Sequence, residues 1–117
     1  MQAEGLENQI SWEDFTKVDM RIGTVISAEV FEEARNPSYK LMVDFGELGV
    51  KKTSAQVTKL CKTEELVGRQ VIAVVNFPPK QIANIMSECL LLAGMEEGEG
   101  NALIGPDRKV KNGTRIG

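Results

Sequence analysis

Apolar and polar residues alternate most clearly near the start of the chain. Met20, Ile22, Ile26, Ala28 and Val30 fall on one side, and Asp19, Arg21, Ser27 and Glu29 on the other. A period of two marks a half-buried strand, and Gly23 within it lets a barrel strand curl sharply. Asn36-Pro37-Ser38 then signals a turn. Alternation resumes over Tyr39–Phe45 and predicts Tyr39, Leu41, Val43 and Phe45 on an inner face. Gly46 and Gly49 bracket a tight connection to a third strand, Val50–Ser54, which completes a hairpin.

Helical signals are short. Ser11 with Asp14 forms a near-capping box before a helix at Trp12–Lys17, with Trp12 and Phe15 on adjoining apolar positions. Ala55–Leu60 is expected as a short helix, and Thr63–Gly68 as a single capped turn stopped by glycine. The β-branched run Arg69–Phe77 is the strongest strand, closed by Pro78-Pro79 because proline cannot continue a ladder. Gln81–Glu88 fits either loop or helix. Cys89–Ala93 reads as a buried strand, Met95–Gly100 as an acidic loop, and Ala102–Ile104 as a last strand before the Gly105-Pro106-Asp107 turn. Five or six short strands with few helices suggest a small barrel or a sandwich.

With 117 residues, 42% apolar and 26% charged, the chain suits one globular core. Residues 1–10 show little periodicity and read as an arm. No basic-then-apolar leader opens the sequence, and its apolar runs are far too short to span a bilayer, so no membrane insertion and a cytoplasmic location are expected. Cys61 and Cys89 match no metal-ligand spacing and read as free thiols of a reducing compartment. Histidine is absent, which removes the commonest general base and metal ligand.

A net charge of −3 argues against a generally basic nucleic-acid binder, but the charges are segregated. Residues 1–34 carry a net −6, residues 35–80 a net +4, residues 81–106 only acids, and residues 107–117 a net +3. Such segregation permits a local basic face on an acidic protein.

Several segments together resemble one family. Phe15-Thr16-Lys17-Val18-Asp19-Met20-Arg21-Ile22-Gly23 is similar to the opening motif of the tRNA-binding-domain family. Val75-Asn76-Phe77-Pro78-Pro79-Lys80 and Met86-Ser87 resemble its central blocks, and Pro106-Asp107 with Asn112-Gly113-Thr114 its closing segment. Glu33–Leu41, Lys51–Gln56 and Asn76–Ile82 are similar to an export-related chaperone branch of that family.

The resemblance implies an all-β fold, an OB-fold five-stranded Greek-key barrel with short flanking helices over residues 11–117. It also implies a homodimer without cofactor or catalysis. Its partners would be unfolded or pre-export polypeptides and tRNA. No nucleophile–base pair, metal cluster or phosphate-cradling glycine loop is present in the sequence to suggest an enzyme.

Two constellations are candidate sites. Lys51 and Lys52 with Lys40, Lys59 and Lys62, and Ser54 beside them, offer phosphate-neutralising charge, although adjacent lysines on a strand point to opposite faces. Asn76, Phe77, Lys80, Met86 and Ser87 combine hydrogen-bonding, charged and apolar side chains on a proline-stiffened rim, as OB-folds use beside their binding face. The same residues would equally fill a core or satisfy loop backbone. Ser87-Glu88-Cys89 departs from the family's S-G-M, Ile82–Ile85 lacks its basic residue and glycine, and aromatics are few. RNA binding is therefore expected through shape and charge, and the apolar residues Ile82, Ile85 and Met86 suit polypeptide contacts.

Overall fold

A computed structural model describes residues 8–117, so most of the expected arm lies outside the described residues. The strands are β1 (Met20–Val30), β2 (Tyr39–Asp44), β3 (Val50–Ala55), β4 (Gln70–Val74), β5 (Lys80–Ile82), β6 (Ile85–Ser87), β7 (Leu90–Leu91), β8 (Ala93–Glu96) and β9 (Gly100–Leu103). Two short helices, α1 (Trp12–Thr16) and α2 (Thr63–Leu66), flank them. Five antiparallel strands form one curled sheet in the order β3-β2-β1-β4-β7. The Glu88 N–H donates to Lys52 O at 2.8 Å beside β7, so the two edges nearly meet and the sheet becomes the expected OB-type barrel. The hairpins β5–β6 and β8–β9 form two further two-stranded sheets packed against it.

β1 is long because it serves both halves of the barrel, pairing with β4 through Met20–Thr24 and with β2 through Thr24–Val30. Its alternation does not run through unbroken. Val25 opposes Val43 but Ser27 opposes Met42, leaving Ile26 as a bulge. One extra residue reverses the inward phase, so Gly23 and Val25 face the interior before the bulge and Ala28 faces it afterwards. The expected single face of Met20, Ile22, Ile26, Ala28 and Val30 is therefore corrected: Ile26 and Val30 are exposed, and Val25 is fully buried in their place.

The core is otherwise the one the hairpin pattern predicts. Tyr39, Leu41, Val43 and Phe45 line it from β2 and its end. Val71, Ala73, Cys89, Leu91 and Leu103 meet them, and Leu66 of α2 joins with no exposed surface. Ala55–Leu60 is not a helix. β3 runs to Ala55, and the chain then turns so that Val57 enters the core. Gln81–Glu88 resolves as the β5–β6 hairpin, reversing at Ala83 with φ 50°.

At the N-terminal side the capping box forms as its residues suggest: Asp14 N–H donates to Ser11 Oγ, and Ser11 N–H to Asp14 Oδ2, both at 3.0 Å. The C-terminal segment returns along β1, where Ile22 N–H donates to Thr114 O at 3.0 Å and Gly113 N–H to Ile22 O at 2.7 Å. No helix of the described residues is long and apolar enough to cross a membrane.

Candidate functional site

Pro78-Pro79 prevents β4 from continuing, and the chain swings out at Phe77 before returning as the β5–β6 hairpin. The detour opens a groove of about 470 Å³ between β3 and the hairpin. Thr53, Ser87 and Cys89 line it beside Ser54, while Phe77, Pro78, Ile82 and Leu90 give it apolar walls and Lys80 adds a charge. Phe77 and Leu90 leave about half of their surface to solvent on the groove's walls.

The Thr53 and Ser87 hydroxyls are satisfied internally. Thr53 Oγ1 donates to Cys89 O at 2.7 Å and lies 3.2 Å from Ser87 Oγ, which itself donates to Cys89 O at 3.2 Å. This small network fixes the hairpin to β3. Burial pushes the Cys89 thiol up to about 11, and the nearby Glu88 adds to the rise. The Thr53 hydroxyl and Lys51 pull the other way. A neutral thiol belongs to an apolar wall rather than to a nucleophile.

Backbone geometry adds a second feature. Lys52 turns both its N–H and its C=O away from β2, toward Glu88. Two residues on, Ser54 presents its N–H and C=O to the same side, and its N–H has no partner among the described residues. The groove thus runs beside an open strand edge.

Of the residues in the two sequence constellations, Ser54, Phe77, Lys80 and Ser87 converge here. Met86 pairs with Gln81 on the hairpin's other face. Asn76 is committed to backbone at both ends of its amide: Asp19 N–H donates to its Oδ1 at 3.0 Å, and its Nδ2 donates to Lys17 O at 2.7 Å. The lysines scatter. Lys40 bonds Glu29 at 3.2 Å and lies 5.5 Å from the centre of the Phe31 ring. Lys51 shares the core-facing side of β3 with Thr53, and Lys52 the opposite side, as adjacent strand residues must. Ile82, Pro78 and Leu90 lie outside the two constellations; the two prolines were the signal for this wall, but only as a strand stop. Among the described residues no three acidic or cysteine side chains gather as a metal-binding set.

The family model described as "Putative tRNA binding domain" matches residues 20–115. The chaperone CsaA from Bacillus anthracis superposes with a TM-score of 0.89 at 50% identity, covering 93% of this chain and 99% of that one. The CsaA chaperone protein from Picrophilus torridus gives 0.88 at 44% identity, covering 93% and 100%. The methionine–tRNA ligase of Pyrococcus abyssi is 37% identical over 113 residues, which is 97% of this chain but 15% of that protein. The chain thus spans about one sixth of the length of the ligases it matches.

Proposed function

Because the chain belongs to the tRNA-binding-domain family and is similar along nearly its whole length to CsaA chaperones, we propose that it is a non-catalytic binding module for unfolded, pre-export polypeptides, retaining affinity for tRNA. The observation that carries the polypeptide reading is the pairing of apolar walls with an open strand edge. An extended chain laid along Ser54 would gain main-chain hydrogen bonds there and place alternate side chains against Phe77, Ile82 and Leu90. Main-chain recognition is indifferent to sequence, and shallow apolar walls tolerate many side chains, which is what a chaperone's ligands require. The likeness to the ligases extends only to a small part of them and carries none of their catalytic activity to this chain.

The tRNA reading has its own support in the family match and in the basic C-terminal segment. The module is taken to act as a homodimer in the reducing cytoplasm. Trp12 and Val18 offer exposed apolar surface beside Ile116 for self-association, and two unpaired cysteines suit that compartment.

The test is suppression of aggregation of a chemically denatured client at stoichiometric concentrations. Light scattering should fall with added protein, and a client that aggregates unchanged would refute the chaperone reading.

A further inference from the structure

At the opposite end of β4 from the groove lies a second, open cleft of about 650 Å³. Arg69 and Gln70 line it where β4 begins, and Asp107, Arg108 and Lys109 line it from the C-terminal loop. Three of these side chains are cationic and one is anionic, and none makes an ion pair among the described residues. In a protein of net charge −3, a local excess of two positive charges attracts anions.

Arg69 and the backbone of the loop that carries Arg108 and Lys109 are held in place. Arg69 Nη2 donates to Leu103 O at 3.1 Å and Nη1 reaches Cys61 Sγ at 3.6 Å, which anchors the guanidinium without neutralising it. Gln70 fixes the loop at both ends. A Cβ on Gly105 would stand 2.3 Å from Gln70 O, so only glycine lets the chain pass there. Five residues later, Gln70 Nε2 donates to Val110 O at 2.7 Å and Val110 N–H donates to Gln70 Oε1 at 3.0 Å. Between these anchors Asp107, Arg108 and Lys109 are exposed residues, and their N–H groups have no backbone partner among the described residues. One anchored guanidinium, a second arginine, a lysine and unpaired N–H donors suit the oxygens of phosphate groups.

We infer that this cleft, lined by Arg69, Arg108 and Lys109, takes the phosphate backbone of an RNA strand, at a place separate from the polypeptide groove. The cleft is open and larger than one phosphate needs, which favours a strand over a free ion. The inference rests on the tRNA reading and gives that reading a location. RNA and polypeptide then occupy different surfaces and need not exclude each other.

The experiment titrates labelled tRNA at several salt concentrations against the wild type, an Arg108→Ala/Lys109→Ala variant and a Phe77→Ala/Leu90→Ala variant. The first variant should bind more weakly, with a slope of log affinity against log salt shallower by about 2, and the second should match the wild type. Unchanged affinity and slope in Arg108→Ala/Lys109→Ala would overturn the inference while leaving tRNA binding intact. Absence of wild-type binding at low salt would instead remove the tRNA reading itself. Inorganic phosphate alone forms a further arm, read by the arginine side-chain N–H resonances. If it shifts Arg69 and Arg108 while tRNA does not, the cleft is a free-anion site and the RNA assignment fails.

Discussion

Glu88 and Lys52 close the barrel with two hydrogen bonds: Glu88 N–H to Lys52 O, and Lys52 N–H to Glu88 Oε1, both at 2.8 Å. The carboxylate does for the edge of β3 what a carbonyl of another strand would do. Its charge is thereby engaged with backbone rather than standing free beside a ligand. Glu88→Ala should lower stability by about 1–2 kcal/mol, and Glu88→Gln, which keeps an acceptor oxygen, should recover most of it. Urea unfolding of the two variants checks this; equal losses would show that the acceptor is not what matters.

Gly23 faces the interior at its most crowded point. A Cβ there would stand 2.6 Å from Val43 Cγ1 and 2.7 Å from Phe45 Cδ1, and both of those side chains are fully buried. Neither has room to withdraw, so Gly23→Ala should cost about 1–3 kcal/mol through overpacking. A thermal melt that matched the wild type would show that the β1 bulge relaxes instead.

Asn76 bridges the end of β4 to the backbone around α1, using both the oxygen and the nitrogen of its amide. Asn76→Ala removes both bonds and leaves Asp19 N–H and Lys17 O to water, so a loss of about 1–2 kcal/mol in stability is expected. Client and tRNA affinities should hold at temperatures where the variant stays folded. A specific loss of affinity at full stability would make Asn76 a ligand contact.

Tyr39–Phe45 was legible because strict alternation over one uninterrupted strand maps directly onto one buried face. β1 was legible as a strand but not in phase, since nothing in Val25-Ile26-Ser27 announces the residue that bulges. The β5–β6 hairpin escaped because Ala83-Asn84 carries neither of the glycines that usually mark a tight reversal. Phe77 and Lys80 were identified by motif, whereas Leu90, read as part of a buried strand, faces the groove. The cleft at Arg69 was visible only as a +3 tail. Its second half comes from Gln70, whose long-range bonds leave no periodic trace.

Cys89 makes stability depend on alkaline pH. Burial raises its thiol from 9.0 to about 11, so on raising the pH the unfolded chain loses that proton before the folded one does. Its stabilising contribution is whole below pH 9 and declines as pH rises toward about 11, by about 2–3 kcal/mol in all. A Cys89→Ala variant begins less stable because of the cavity but lacks this decline. Urea midpoints of the two proteins should therefore converge between pH 9 and 11, and parallel curves would remove the thiol from the account.

Phe77 and Leu90 flank the groove with about half of each side chain in solvent, so neither contributes much to the core. Phe77→Ser/Leu90→Ser should leave the melting temperature within a few degrees of the wild type, because exposed positions change stability by only about 0.5 kcal/mol each. Suppression of client aggregation should nevertheless fall severalfold, since each large apolar contact removed is worth about 1 kcal/mol or more. The measurement is light scattering against protein concentration, with the denatured client held constant. A variant that protects the client as well as the wild type would move the polypeptide site away from this groove. One that lost stability as well would show instead that Phe77 and Leu90 pack in solution more tightly than their exposure indicates.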